Sequence, residues 1–64
     1  MRREEIPDLF LNKFVKIVKP DGFVLSGKIR QVNENNILFE SDQATSVINL
    51  KNIYEIILKK KEKV

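Results

Sequence analysis

The fold is decided by residues 14–32, which read FVKIVKPDGFVLSGKIRQV. Within residues 14–19, Val15 and Ile17 belong to one face and Lys16 to the other, as in a β-strand with one apolar face. Residues 20–22 (PDG) combine a fixed φ, an Asx-type turn former and a residue that tolerates positive φ, which is typical of a hairpin turn. Because the alternation resumes over residues 23–32, the stretch predicts two antiparallel strands.

Gly27 lies in the middle of the second predicted strand. A glycine weakens a flat strand, because it offers no side chain to pack and loses much backbone freedom. We therefore expect Gly27 to mark a sharp bend or a close approach of two backbones, as in a strongly curved barrel.

The residues on either side of this stretch complete the predicted fold. Upstream, Ile6, Leu9 and Phe10 are at near-helical spacing and predict one short helix over residues 2–12. Downstream, further short strands are predicted at residues 37–40, 46–50 and 53–59. The sequence thus predicts a mainly β fold, in which a short N-terminal helix precedes a strongly bent, five-stranded antiparallel SH3-like barrel.

Composition limits what such a chain can do. Its 64 residues predict a single domain over residues 1–58, which leaves little room for a buried catalytic cleft. The chain has no cysteine and no histidine, so disulfides, zinc sites, Ser-His triads and Cys-His dyads are excluded. We predict no catalytic residues, no cofactor, no metal site and no small-molecule substrate.

The net charge of +3 comes from the end of the chain. Residues 1–58 carry eight Lys or Arg and eight Asp or Glu, while residues 59–64 add four lysines and one glutamate. We expect this basic tail to be a frayed, solvated end. The sequence shows neither a secretory signal nor an apolar run long enough to span a membrane, so we expect a cytoplasmic protein with no membrane partner.

The last predicted strand is apolar on both faces, which one barrel interior cannot cover. Either the N-terminal helix or a neighbouring subunit covers the second face, and the sequence leaves both open. For the second case, we predict an oligomer interface formed by Val47, Tyr54, Ile56 and Leu58.

Residues 11–29 resemble the first signature of Sm-like proteins, in which an alternating strand and a glycine-centred hairpin are followed by a second glycine. Gly22 and Gly27 have that spacing. The chain from residue 9 to residue 56 is similar in particular to Hfq-type RNA chaperones. In the second signature, residues 49–52 (NLKN) replace the family's Arg-Gly or Tyr-Lys-His, so that Lys51 keeps a positive charge while the glycine and histidine are missing.

The resemblance implies a hexameric or heptameric ring in which the fourth strand of one subunit pairs with the fifth strand of the next. It also implies that single-stranded RNA binds two loops at the central pore. Asparagine can match a base edge and lysine can meet phosphate, and aromatic side chains can stack on bases. The predicted RNA-binding residues are Asn33, Asn35, Asn36, Lys51 and Asn52, and the candidate stacking residues are Phe23, Phe39 and Tyr54.

Two other functions fit the same sequence. An SH3-like protein-interaction or assembly module would use a sheet edge and no nucleic acid. A barrel that binds double-stranded DNA would use Lys16, Lys28 and Arg30, which share a strand face, together with the tail. Strong salt dependence would separate the DNA function from the assembly function.

Overall fold

A computed structural model of the chain describes residues 1–59, and a five-stranded antiparallel sheet dominates it. The prediction of a mainly β fold with five antiparallel strands is confirmed, with strand ends shifted by one or two residues. The strands are β1 (Phe14–Val18), β2 (Val24–Val32), β3 (Asn36–Glu40), β4 (Thr45–Asn49) and β5 (Glu55–Leu58).

The predicted helix over residues 2–12 is wrong as a continuous helix. Two short 3-10 turns, Arg3–Glu5 and Asp8–Phe10, replace it, and a third 3-10 turn, Leu50–Asn52, follows β4. The break is at Ile6, which is extended (φ −110°, ψ 103°), because the ring of the following proline disfavours the helical region for the residue before it. Within residues 1–59, no helix is long and apolar enough to cross a lipid bilayer.

The strands lie in the order β4-β3-β2-β1-β5, so that β5 returns across the molecule to pair with β1. Consecutive hairpins join β1 to β2, β2 to β3 and β3 to β4. Among the described residues, β4 and β5 are the two edges of the sheet. An edge strand presents unpaired backbone N–H and C=O groups, which can pair with another chain.

Gly27 has the close approach that its position in the sequence predicts. A Cβ atom at this position would collide with the carbonyl oxygen of Glu40 and lie 2.8 Å from Cζ of Phe39. Gly22 has a different reason to be glycine, since its φ is +91° and nothing lies within 4 Å of a Cβ placed there. One glycine therefore serves packing and the other serves the turn.

The buried apolar residues form one cluster to which strands from both halves of the sheet contribute. The N-terminal segment adds Ile6, with Phe10 and Leu11 packed against the cluster. The remaining buried members are Val15, Ile17, Ile29, Ile37, Phe39, Leu50, Ile53 and Ile56. Of the predicted basic tail, only Lys59 belongs to the described residues, where it is exposed; residues 60–64 lie outside them.

Candidate functional site

The two loops that the sequence singles out lie side by side. The Leu50 N–H donates to the carbonyl oxygen of Asn35 at 2.8 Å, which joins the third 3-10 turn to the turn between β2 and β3. Asn36 and Asn49 lie opposite each other in the adjacent strands β3 and β4. Asparagine side chains from both loops are therefore placed at one end of the sheet.

Within the β2–β3 turn, amide side chains bond to one another. Gln31 donates from Nε2 to Oδ1 of Asn33 at 2.7 Å, and Asn33 donates from Nδ2 to Oδ1 of Asn36 at 2.7 Å. The Asn33 N–H also donates to the Asn36 carbonyl oxygen at 2.8 Å. These bonds fix the turn and engage the side-chain oxygens of Asn33 and Asn36, while among residues 1–59 the Asn36 amide nitrogen donates to no partner.

A cleft of about 540 Å³ opens between these loops and the start of the chain. Its walls include two amide side chains, Asn35 and Asn49, and three cationic side chains, Arg2, Arg3 and Lys51. Amide groups can pair with base edges and cations with phosphate oxygens. The cleft therefore combines the two kinds of group that recognise a single-stranded nucleic acid.

The N-terminal residues are held against the third 3-10 turn by backbone hydrogen bonds. The Met1 nitrogen donates to the Leu50 carbonyl oxygen at 3.1 Å and to the Ile53 carbonyl oxygen at 3.4 Å. The Arg2 N–H donates to Oε1 of Glu5 at 2.7 Å, which closes the first 3-10 turn. Arg2 is thereby carried into the cleft beside the loop that holds Lys51.

Sequence reasoning missed both cleft arginines because a continuous helix over residues 2–12 gives no reason to place them near the loops. No spacing rule connects Arg2 or Arg3 with Lys51, which is about fifty positions away in the chain. Only the packing of Met1 on the third 3-10 turn brings them together.

Two carboxylates, Glu4 and Glu34, also line the cleft. The Met1 ammonium also lines the cleft, so four cations and two carboxylates give a net charge of 4 − 2 = +2 for one chain, which is a weak field for a nucleic acid by itself. Within residues 1–59, no three Asp, Glu, His or Cys side chains form a group that could hold a metal ion.

The structure divides the five predicted RNA-binding residues into three groups. Asn35 and Lys51 line the cleft. Asn33 and Asn36 belong to the hydrogen-bonded turn beside it. Asn52 is exposed on the third 3-10 turn but is not part of the cleft wall.

None of the three aromatic side chains considered for stacking is part of the cleft wall. Phe39 is only 3% exposed and packs in the core. Phe23 is 64% exposed and precedes β2, at the end of the sheet opposite the β2–β3 turn. Tyr54 is 71% exposed, its N–H donates to the carbonyl oxygen of Val18 at 2.7 Å, and it directly follows Ile53, whose carbonyl oxygen accepts from the Met1 nitrogen.

The β4 edge turns the backbone of Val47 outward. The Ser41 N–H donates to the Ala44 carbonyl oxygen at 2.9 Å, and Leu50 donates to Asn35 at 2.8 Å. Hydrogen-bonded and non-hydrogen-bonded pairs alternate along an antiparallel ladder. Ala44 and Leu50 belong to hydrogen-bonded pairs, so Val47, three residues from each, belongs to a non-hydrogen-bonded pair. Its N–H and C=O therefore point away from β3. Its side chain is 67% exposed.

The β5 edge places the predicted interface residues differently. The Lys59 N–H donates to the Phe14 carbonyl oxygen at 3.1 Å, so these two residues form a hydrogen-bonded pair. Such pairs alternate with non-hydrogen-bonded pairs along the strand. Ile56 and Leu58 belong to the second kind, and their backbone N–H and C=O groups point toward the unpaired edge of β5. The side chain of Ile56 is buried in the core and that of Leu58 is half-buried against it. Ile57, which the sequence reasoning did not select, presents the exposed side chain instead.

Two of the three cations of the possible DNA-binding face already have partners. Arg30 pairs through Nε with Oε1 of Glu40 at 3.0 Å. The Lys28 ammonium lies 4.7 Å from the centre of the Phe14 ring, within the range of a cation–π contact. Lys16 is exposed on the outer face. This face is therefore a weaker candidate for phosphate than the cleft.

The chain was compared with known proteins at the level of families and of single sequences. No family model matches it. No curated protein matches it either.

Proposed function

We propose that this chain is an Sm-like protein that assembles into a homo-oligomeric ring and binds single-stranded RNA at its two adjoining loops. The observation that carries the proposal is the hydrogen bond from Leu50 to Asn35, at 2.8 Å. It joins the two loops that the resemblance assigns to RNA into one surface, and that surface opens into a cleft lined by amides and cations.

An SH3-like or Sm-like barrel is supported by the way one sheet encloses one core. The sheet has no second layer among residues 1–59, yet Ile48 of β4 and Ile56 of β5 pack on the same apolar cluster. A sheet can bring opposite edges to one cluster only by curling. The close approach at Gly27 and the irregular β2–β3 pairing near Ile29 support strong local bending.

Assembly is supported by the two sheet edges. β4 directs the backbone groups of Val47 outward, and β5 does the same with those of Ile56 and Leu58. Antiparallel pairing of β4 with β5 of a second copy would satisfy both sets of groups. Because the two edges differ, the contact is head-to-tail, and a head-to-tail contact that closes forms a ring.

Affinity for single-stranded RNA would come from several copies of a site that binds weakly by itself. Asn35 and Asn49 can bond to base edges, while Lys51 can meet a phosphate. One such set binds weakly, but a ring presents several copies to one strand, and linked contacts raise the overall affinity greatly.

A protein-interaction or assembly module without nucleic acid is the second candidate. It is favoured by the exposed apolar side chains of Phe23, Val24 and Tyr54, none of which is part of the cleft wall. This function predicts binding that is insensitive to salt, and variants of the cleft would leave it unchanged.

The RNA proposal is tested by Asn35→Ala combined with Lys51→Ala. Both side chains are exposed and make no hydrogen bond or ion pair among residues 1–59, so the fold should not change. We expect at least about a tenfold loss of affinity for oligouridine or oligoadenine, since each subunit loses one base contact and one phosphate contact. Fluorescence anisotropy at low and physiological salt measures this loss.

Gln43→Ala combined with Lys13→Ala is the matched control. It removes one amide and one ammonium from exposed positions away from the cleft. Equal affinity of the two double variants, or no binding of either oligonucleotide by the unchanged protein, would contradict the proposal.

A further inference from the structure

We propose that Arg2 and Arg3 form a phosphate clamp that supplies the net positive charge of the cleft and fixes the backbone of the bound strand. This inference rests on the proposed function and adds a segment of the chain that neither the sequence pattern nor the resemblance assigns to binding. The ligand group is the phosphodiester of single-stranded RNA.

The first support is the way the segment is anchored. The two bonds from the Met1 nitrogen to Leu50 and Ile53, at 3.1 and 3.4 Å, tie the segment to the loop that carries Lys51. The bond from the Arg2 N–H to Oε1 of Glu5 then fixes the direction in which the chain leaves. The backbone that carries the arginines is therefore held in place before any ligand binds, which reduces the entropic cost of binding.

The second support is the balance of charge. With Arg2 and Arg3 the cleft carries four cations, one of them the Met1 ammonium, and two carboxylates, a net charge of 4 − 2 = +2. Without them, the Met1 ammonium and Lys51 would face Glu4 and Glu34, a net charge of 2 − 2 = 0. A neutral cleft would attract phosphate only weakly, so the arginines supply the whole net positive charge of this surface.

The third support is the chemistry of the side chains. Both arginines are exposed, and among residues 1–59 neither forms an ion pair with a carboxylate. Guanidinium presents a planar set of donors that grips two phosphate oxygens at once, whereas the Lys51 ammonium acts as a point charge. The clamp thus orients the strand, and the neighbouring amides are left to contact bases.

The test is Arg2→Gln combined with Arg3→Gln, compared with Lys13→Gln combined with Lys16→Gln. Both double variants lose two positive charges from exposed side chains, but only the first pair lines the cleft. We expect the arginine variant to bind oligouridine and oligoadenine at least about tenfold more weakly, with a lower slope of log affinity against log salt. The ratio of the two affinities should stay the same, because phosphate contacts do not read the base.

Two further variants sharpen the result. Glu4→Gln combined with Glu34→Gln should tighten binding by making the cleft more positive. Arg2→Lys combined with Arg3→Lys should recover part of the loss, since it restores charge but not the two-oxygen grip.

The outcomes separate this inference from the proposed function. In one outcome, the unchanged protein binds RNA, Asn35→Ala combined with Lys51→Ala weakens that binding, and the arginine variant binds as tightly as its lysine control. This outcome refutes the clamp and leaves the RNA site in place. If the unchanged protein binds neither oligonucleotide, both are refuted. Selective loss in the arginine variant supports the clamp.

Discussion

Gly27→Ala is expected to abolish the stable fold. The added methyl group would occupy the space of the Glu40 carbonyl oxygen and press on the Phe39 ring at 2.8 Å. Glu40 is held in the ladder opposite Lys28, so its carbonyl cannot retreat without breaking the pairing of β2 with β3. We expect a loss of at least about 3 kcal/mol in the free energy of unfolding.

A loss of that size matters because the domain is small. A chain of this length has a total stability of about 3–10 kcal/mol, from about 0.05–0.15 kcal/mol per residue. Chemical denaturation followed by circular dichroism measures the effect. Gly22→Ala is the matched control, with an expected loss of about 1–2 kcal/mol from its left-handed backbone alone. Equal stability of the two variants would contradict the role given to Gly27.

Val47→Pro is expected to dissociate the assembly while leaving each subunit folded. The N–H of Val47 points away from β3, and proline is tolerated on an edge strand where the missing N–H faces outward. The same substitution removes a donor that a neighbouring β5 would need and places a ring in the contact. We therefore expect the mass in solution to fall to that of one chain.

Val47→Thr is the control for this substitution. It keeps the backbone N–H and the β-branched shape and changes only the polarity of a side chain that is already largely exposed. Sizing chromatography with light scattering measures the mass, and circular dichroism checks the fold. A folded Val47→Pro protein with unchanged mass would show that β4 is not the edge used for assembly.

The strands could be predicted from the sequence because short-range rules govern them. Alternation places Val15 and Ile17 inward, and Pro20 and Gly22 supply the turn chemistry of the first hairpin. The packing role of Gly27 also followed, since a glycine inside a strand has few other uses.

The N-terminal segment could not be predicted in the same way. Near-helical spacing of Ile6 and Phe10 favours a helix, but the restriction that Pro7 places on Ile6 is the stronger local effect. Sequence spacing also contains no information on which loop this segment packs against. The contribution of Arg2 and Arg3 to the cleft therefore became visible only through the contacts of Met1.

For the candidate loops, the sequence predicted which residue types they contain but not which side chains bond within the turn and which line the cleft. Asparagine favours turns, and Asn33 and Asn36 do serve the turn through their mutual hydrogen bond. Asn35 and Lys51 are the pair that the fold leaves available in the cleft. Whether an asparagine stabilises the turn or faces the cleft depends on the register of β3 with β4, and the sequence alone does not define that register.

The central claim is that this chain works as a closed assembly of identical subunits, joined edge to edge, with the cleft repeated around the axis. The most direct test is the mass of the unchanged protein in solution, measured by light scattering behind a sizing column at two protein concentrations. We expect one stable mass that corresponds to a hexamer or heptamer at both concentrations. A monomer at both concentrations would contradict it, and would leave the exposed β4 and β5 edges and the apolar side chains of Phe23 and Tyr54 to a different protein partner.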